Sequence, residues 1–341
     1  MPIASLSSGI DLCYETFGEP DHPTLLLMHG LGSQLLLWEE GFCEGLAAAG
    51  FRVVRYDHRD SGLSTMLPEG ATYTLSDMAA DAVGLLDHLG VDDAHIVGFS
   101  LGGMVAQTFA AEHPTRTRSL VSMGSNTGHP DFGRPSAEVM VALVAPAPDD
   151  PAERAAKDLA DRRLWASPEW HDDDHVLMTF VGYAARSVQS ADAFRRQLAA
   201  GAGDREAALQ TIVAPTRVVH GTPDTLLPKS GGERTAEVIP GADLVLIEGW
   251  GHDMPPGAWP DLIEAIGLCV AGSFFVSSVA VAVLVMVGAF SLWLLLVVVG
   301  VYSAVAATFA ASLELAREGK LQLRQFEPFG RIYVRRHPEE T

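Results

Sequence analysis

The fold is decided by the stretch Gly98-Phe99-Ser100-Leu101-Gly102-Gly103. It follows an apolar run at 94–97, typical of a buried parallel strand, and precedes a helical pattern over 104–112. A strand, a Gly-x-Ser-x-Gly turn and a helix together form an elbow that lifts a serine hydroxyl clear of the sheet. Because a glycine-rich turn between strand and helix also occurs in ordinary α/β domains, the hypothesis of a nucleophilic Ser100 depends on partner residues elsewhere in the chain.

Strand-like and helix-like segments alternate along the first 268 residues. An opening hairpin is predicted over 3–17, and helices are predicted over 35–49, over 76–89 with Ser76 as N-cap, and over 260–269. Apolar runs that are typical of buried strands occur at 24–28, 51–56, 119–123, 216–221 and 243–248. This alternation predicts an α/β fold with a mostly parallel, doubly wound sheet.

The alternation breaks between residues 124 and 211, where helical segments and a proline-rich patch at 145–151 replace the strands. We interpret 124–211 as a helical cap inserted between two strands of the sheet. Large side chains in this cap are expected to line a substrate pocket or to pack the cap on the core: Trp165, Trp170, Met178, Phe180 and Tyr183.

Two residues downstream of Ser100 are candidates to complete a catalytic set. Asp224 follows the predicted strand 216–221, and His252 follows the predicted strand 243–248. A histidine can take the proton of a serine hydroxyl, and a carboxylate can hold that histidine in the useful tautomer. The rival acid is Asp131, and the rival bases are His29, His58 and His220. Asp224 and His252 are favoured because a strand-end acid followed by a strand-end histidine is the order expected after an elbow serine.

Four ordered features make residues 10–268 resemble the α/β-hydrolase family: His29-Gly30, the elbow, His220-Gly221-Thr222-Pro223-Asp224 and Gly249-Trp250-Gly251-His252. The stretch Tyr56-Asp57-His58-Arg59-Asp60-Ser61-Gly62-Leu63-Ser64 is similar to aclacinomycin methylesterases and cofactor-free haloperoxidase-like esterases. The resemblance implies carboxylesterase-type activity and places one oxyanion donor at the backbone N–H of Leu31. The residue after the nucleophile, Leu101, is expected to supply the other. Asp57 and Arg59 are expected to brace the loops by hydrogen bonds.

Composition excludes several other classes of protein. The net charge of -20 argues against a nucleic-acid partner, whose phosphates it would repel. The three cysteines are scattered without metal-like or disulfide-like spacing, which predicts buried thiols. The run His171-Asp172-Asp173-Asp174-His175 could ligate a metal, but a solvated helix start explains it better. No metal and no cofactor is expected.

The C-terminal part of the chain predicts a membrane segment. Residues 265–313 contain no Asp, Glu, Lys, Arg or His, whereas one helical crossing takes about 20 apolar residues. We predict a transmembrane segment at 269–313, preferably a two-helix hairpin, with a single long helix as the alternative. The tail 314–341 carries basic residues close to the predicted span, which favours a cytoplasmic tail. Since the N-terminus lacks the pattern of a secretory signal, a hydrolase tethered on the cytoplasmic side is expected.

These observations predict a serine hydrolase with Ser100 as nucleophile, His252 as base and Asp224 as orienting acid. Its substrate is expected to be an ester or a related acyl compound of a small apolar molecule. The same triad also serves cofactor-free perhydrolysis, lactone opening and carbon–carbon bond hydrolysis, so these remain alternatives. A membrane-tethered binding protein on the same fold is an alternative from another class.

Overall fold

Eight strands between residues 3 and 247 form one sheet. The computed structural model describes residues 1–146, 148, 150–187, 189–270, 321–325 and 332–336. The strands lie in the order β1-β2-β4-β3-β5-β6-β7-β8. Their bounds are β1 Ile3–Ser5, β2 Asp11–Phe17, β3 Thr24–Met28, β4 Arg52–Tyr56, β5 Ala94–Phe99, β6 Thr117–Met123, β7 Thr216–Gly221 and β8 Asp243–Ile247. The predicted opening hairpin is present, with β1 antiparallel to β2.

Strand β2 pairs antiparallel with both β1 and β4, and every further pair in this sheet, from β4–β3 to β7–β8, is parallel. Every residue of the central strands β3 and β5 is buried. Strands covered on both faces need apolar side chains at successive positions, which is why they appear in the sequence as continuous apolar runs.

Helices cover both faces of the sheet, so the predicted doubly wound arrangement is confirmed. In chain order the described helices are α1 Glu40–Ala48, α2 Leu75–His88, α3 Leu101–Glu112, α4 Ala137–Val144, α5 Pro151–Arg163, α6 Asp173–Arg186, α7 Ala191–Ala200, α8 Glu206–Leu209, α9 Ser230–Val238 and α10 at 259–270. One core lies between the sheet and α2 and α3, with Met78 and Phe109 fully buried. The other lies under α1 and α10, with Phe42 and Leu262 fully buried.

Two helix starts differ from the prediction. Instead of one helix over 35–49, a single 3-10 turn at Leu35–Leu37 precedes α1, because the N–H of Leu35 donates to the buried Asp57 carboxylate at 2.7 Å. The prediction of Ser76 as N-cap was wrong. Thr74 caps α2, since its hydroxyl accepts from the Asp77 N–H and the Asp77 carboxylate accepts from the Thr74 N–H.

The predicted cap is built from helices α4 to α8, which lie between β6 and β7. The described residues of this segment contain no strand, in agreement with the break in alternation at 124–211. Side-chain oxygens of Ser136, Asp150, Asp172 and Ser190 accept hydrogen bonds from the first turns of α4 to α7, which fixes where each of these helices begins.

Helix α10 runs from the carboxyl edge of the sheet toward the amino edge. Near its start, the indole N–H of Trp259 donates to the carbonyl of Met254, at 3.1 Å. Near its end, the Sγ of Cys269 lies 3.9 Å from the carbonyl oxygen of Pro215, the residue that precedes β7. A helix of this length advances about 18 Å along its axis.

The predicted transmembrane segment 269–313 lies outside the described residues, apart from its first two. No helix within the described ranges is long and apolar enough to cross a membrane. Within the predicted tail 314–341, two described strands, β9 Leu321–Gln325 and β10 Ile332–Arg336, pair antiparallel. The sequence had not predicted this pairing.

Candidate active site

Ser100 stands on a strained turn between β5 and α3. Its backbone has φ 58° and ψ −120°, a conformation that non-glycine residues rarely adopt. The turn is possible because its flanks have no side chains: a Cβ on Gly98 would stand 2.1 Å from the carbonyl oxygen of Gly102, and one on Gly102 would stand 2.0 Å from that of Met28. The N–H of Ser100 donates to the carbonyl of Met123 at 2.9 Å, which ties the turn to the neighbouring strand.

The structure brings Ser100, His252 and Asp224 together at the carboxyl edge of the sheet. The Nε2 atom of His252 lies 2.9 Å from the Oγ atom of Ser100, and its Nδ1 atom lies 2.6 Å from an oxygen of Asp224. All three residues are buried. A proton on Nδ1 that is donated to Asp224 leaves Nε2 free to accept the proton of the serine hydroxyl.

Asp224 is held as a carboxylate. Its other oxygen accepts the backbone N–H groups of Leu226 and Leu227, at 2.9 and 2.8 Å. Burial alone would raise the pKa of Asp224, but the charge of His252 and hydrogen bonds from His220 and His252 outweigh burial and lower it to about 2. The group is therefore ionised at neutral pH and can only accept from His252.

The rival residues occupy other positions. Asp131 is exposed and faces His129, with an oxygen 3.9 Å from its Nδ1 atom. His220 donates from Nε2 to the carbonyl of Leu227 at 2.6 Å, which supports the loop that carries Asp224. His220 therefore has the structural role that the sequence suggested.

His29 and His58 hold each other beneath the loop that follows β3. The N–H of His58 donates to Nε2 of His29 at 3.1 Å, and Nδ1 of His29 donates to the carbonyl of Gly30 at 2.9 Å. Burial lowers the pKa of His29 to about 4 and that of His58 well below its usual range. Since both ring nitrogens of His29 are engaged and the ring is neutral, it is bound into the loop.

The backbone N–H groups of Leu31 and Leu101, the two predicted oxyanion donors, have no hydrogen-bond acceptor among the described residues. Leu101 is the first residue of α3, where N–H groups have no partner within the helix. Gly30 brings the loop of Leu31 close, since a Cβ on Gly30 would stand 3.3 Å from the Cβ of Ser100.

A segment of the cap clamps the His252 loop from above, which sequence reasoning missed. The N–H of His252 donates to the carbonyl of Trp165 at 2.6 Å, and the N–H of Gly251 donates to the Ser167 hydroxyl at 2.9 Å. The hydroxyl of Ser167 in turn donates to Asp253, whose pKa is raised by burial. The sequence carries no motif at Ser167 that would have indicated this contact.

The residues expected to brace the loops do so. Asp57 accepts the backbone N–H groups of Leu35 and Leu63, at 2.7 and 3.0 Å. Arg59 forms two hydrogen bonds to the Asp81 carboxylate, at 2.6 and 2.7 Å. Asp57 and Arg59 thus brace the loops that follow β3 and β4 by hydrogen bonds, as predicted.

The large cap side chains divide between packing and a cleft. Trp170, Phe180 and Tyr183 line a cleft beside Asp253, and Arg162 and His175 also line it. Trp165 is instead buried in a small cluster with Val139 of the cap and Leu226 of the loop that carries Asp224. Met178 is exposed to solvent. The cleft therefore presents both apolar and charged groups.

The predicted helix start at residues 171–175 is present. Asp172 is the N-cap of α6 and accepts the N–H groups of Asp174 and His175. The ring of His175 reaches Glu39 at 2.9 Å, and that of His171 reaches Asp173 at 2.6 Å. In the part of the chain that the structure describes, no three His, Cys, Asp or Glu side chains are grouped so as to hold a metal ion.

Known proteins share this fold and much of this sequence. A model of the alpha/beta hydrolase fold family matches residues 23–255. Rhodomycin D methylesterase DauP from Streptomyces sp. (strain C5) is 31% identical over 297 residues, which cover 75% of this chain and 94% of the relative. The putative carbamate hydrolase RutD from Variovorax paradoxus (strain S110) is 29% identical over 251 residues, covering 71% of this chain and 89% of the relative. A solved hydrolase from Pseudomonas aeruginosa PA01 has a TM-score of 0.63 at 30% identity, covering 80% of this chain and 97% of its own.

The chain belongs to the alpha/beta hydrolase family, as the four ordered sequence features predicted. It is an enzyme with esterase-like activity. A methylesterase stands among its relatives, in agreement with the resemblance of residues 56–64.

Proposed function

We propose that the protein is a serine hydrolase that cleaves an ester bond through an acyl-enzyme on Ser100. The observation that carries this proposal is the hydrogen-bonded series Ser100–His252–Asp224, with atom separations of 2.9 and 2.6 Å. Each member is buried and approached by fixed backbone groups, so little reorganisation precedes the reaction.

In the first half of the reaction, Ser100 Oγ attacks the carbonyl carbon of the ester while its proton passes to Nε2 of His252. The charged imidazole is stabilised by the ionised Asp224, whose pKa of about 2 keeps it an acceptor. The oxyanion of the tetrahedral intermediate accepts hydrogen bonds from the backbone N–H groups of Leu31 and Leu101. His252 then gives its proton to the departing alcohol.

In the second half, a water molecule replaces the alcohol and loses a proton to His252 as its oxygen attacks the acyl carbon. Collapse of the second tetrahedral intermediate breaks the bond to Ser100 Oγ, which takes the proton back. The products are a carboxylic acid and an alcohol, and the enzyme returns to its starting state.

The substrate class we propose is an ester of a small, largely apolar molecule. The methylesterase relative supports ester chemistry, and Trp170, Phe180 and Tyr183 supply apolar surface in the cleft beside Asp253, the residue after His252. Perhydrolysis, lactone opening and carbon–carbon bond hydrolysis use the same three residues. A panel of these substrates tested beside esters separates the four activities.

The test is hydrolysis of p-nitrophenyl acetate and butyrate by the full chain, together with covalent labelling by a fluorophosphonate. Ser100→Ala should abolish both turnover and labelling. Ser76→Ala, which changes an exposed serine in α2, should leave both intact. If the folded wild-type protein shows no turnover and no labelling, that result would favour a binding protein instead.

We also propose that residues 269–313 anchor the enzyme to a membrane, with the hydrolase on the cytoplasmic side. The support is the absence of Asp, Glu, Lys, Arg and His from 265–313 and the basic residues that follow. The full chain should stay with membranes in alkaline carbonate, and a chain ending at Val270 should stay in the supernatant. Release of the full chain by carbonate would refute the anchor.

A further inference from the structure

Helix α7 of the cap lies directly against the loop 29–34, which we call the oxyanion loop because it carries the predicted donor of Leu31. Phe194 and Gln197 are three positions apart and therefore share one face of α7. A Cβ on Gly32, whose φ is +67°, would stand 3.2 Å from the ring of Phe194. The loop thus has no room for a side chain at the point where α7 crosses it.

Gln197 is fully buried, and its amide group has four hydrogen-bond partners. The amide oxygen accepts the backbone N–H of Gly32 at 3.3 Å and the side-chain amide of Gln189 at 3.1 Å. The amide nitrogen donates to the carbonyl of Arg59 at 3.2 Å and to the hydroxyl of Ser61 at 2.8 Å. Both donors and both acceptor positions of the amide are used, which fixes its orientation.

The peptide groups on the two sides of Leu31 are held by different parts of the molecule. The carbonyl of Gly30, which shares a peptide plane with the N–H of Leu31, accepts the N–H of Ser33 at 3.3 Å. The following peptide plane ends in the N–H of Gly32, which is held by Gln197 of the cap. The direction of the predicted oxyanion donor therefore depends on the cap as well as on the core.

The second predicted donor also lies under α7. A Cβ on Gly201, directly after the helix, would stand 3.0 Å from the side chain of Leu101. Arg196 fastens the helix to the core through two hydrogen bonds to the buried Asp60, at 2.7 and 2.9 Å. Helix α7 and the glycine directly after it thus contact both the oxyanion loop and Leu101.

We propose that Gln197 is a positioning residue that aligns the oxyanion loop, so that the hydrolase turns over only when α7 is seated on the core. The inference rests on the proposed function, because it concerns the same oxyanion hole. A cap that lifted to admit substrate would leave Gly32 without its partner and slacken the donor of Leu31. Docking of the cap would then complete the site, and the enzyme would not stabilise an oxyanion while open to water.

The consequence is a selective loss in the chemical step. An oxyanion exists only after attack, so a misaligned donor lowers kcat and leaves substrate binding nearly unchanged. Removal of one oxyanion donor typically costs about 100- to 1,000-fold in kcat, and misalignment should cost less, about 10- to 100-fold.

The test compares the full-length wild-type enzyme with Gln197→Leu, using p-nitrophenyl butyrate and 1-butaneboronic acid, whose adduct with a serine is tetrahedral. We expect kcat to fall about 10- to 100-fold, KM to change less than about twofold, and the boronate inhibition constant to rise by the same factor as kcat falls. Gln210→Leu makes the same substitution at an exposed residue directly after α8 and should behave like the wild type.

A rise in KM with kcat unchanged, or kcat and boronate binding equal to the wild type, would overturn the inference. If Gln197→Leu does not fold, Gln197→Glu keeps an acceptor for the Gly32 N–H. This variant should keep most of kcat, although its thermal stability should fall. A Glu variant that folds yet has lost kcat entirely would also overturn it. Failure of the proposed function gives a different pattern, because neither the wild type nor Ser100→Ala would then show turnover or labelling.

Discussion

The guanidinium of Arg186 in the cap forms two hydrogen bonds with the carboxylate of Asp57 in the core, at 2.7 and 3.1 Å. The side chain of Asp57 is fully buried and that of Arg186 nearly so. The same carboxylate accepts the backbone N–H groups of Leu35 and Leu63. One carboxylate thus joins the last turn of α6 to the two loops that follow β3 and β4.

Arg186→Met should destabilise the protein by about 3 kcal/mol, because removal of one partner leaves a buried carboxylate without its counter-charge. The N–H groups of Leu35 and Leu63 still donate to Asp57, which keeps the loss of stability at the low end of the range for buried ion pairs. KM should rise as well, since the cap loses a contact with the core. Urea unfolding and ester hydrolysis measure the two effects.

The matched control is Arg163→Met, which removes an arginine whose partner Asp173 lies at the surface. Exposed ion pairs contribute little, so this variant should match the wild type in urea. Equal stability of the two variants would show that the Arg186–Asp57 pair does not hold the cap.

Ser100→Gly should be more stable than Ser100→Ala by about 1 kcal/mol, although both variants lose turnover. The backbone of Ser100 has φ 58°, which costs energy for any residue with a Cβ and costs glycine little. Equilibrium unfolding of the two variants measures the difference. Alanine and glycine variants of equal stability would contradict a strained elbow.

Stability should fall as the pH drops from about 6.5 toward 4. Burial lowers the pKa of His29 from 6.5 to about 4, so in this window the unfolded chain binds a proton that the folded chain does not. The contribution of neutral His29 is complete above about pH 6.5 and is lost as the pH falls, by about 1.4 kcal/mol per pH unit. His29→Gln should reduce the slope of unfolding free energy against pH by that amount. An unchanged slope would mean that His29 titrates equally in both states.

Ser167→Ala should lower kcat about tenfold, because Gly251 loses the acceptor that steadies the His252 loop. The lost hydrogen bonds should also cost about 1–2 kcal/mol in stability. Ser230→Ala is a matched control: it removes a hydroxyl that accepts the N–H of Gly133 elsewhere in the fold. We expect it to lose stability without losing kcat, and equal kcat losses in both variants would argue against a specific role for Ser167.

The sequence was sufficient to predict the elbow and the three residues that meet there. Each of Ser100, Asp224 and His252 follows a strand of the same parallel sheet, and the carboxyl ends of such strands meet at one edge. Strand positions are readable as apolar runs, so this meeting point follows from local patterns. The start of α2 shows the limit of such reasoning: Ser76 and Thr74 are both capping residues, and only the reciprocal bonds with Asp77 decide between them.

The contacts between cap and core could not be predicted. Ser167, Arg186 and Gln197 are polar residues in helical or connecting segments without a motif, and each acts on a partner far away in the chain. Gln197, for example, contacts Gly32, which lies 165 residues earlier in the chain. Such pairs depend on how the cap is oriented on the sheet, which no periodicity of the sequence records.

The last described turn of helix α10 lies beside the beginning of β7, whereas Ser100 lies at the opposite edge of the sheet. Any object joined directly to Val270, whether a bilayer, a bead or a fusion partner, is therefore joined on the far side of the sheet from Ser100. The entrance to Ser100 would then point toward water, and the enzyme would draw its substrates from solution rather than from the surface that holds it. Immobilisation of a chain that ends at Val270 should accordingly leave turnover unimpeded.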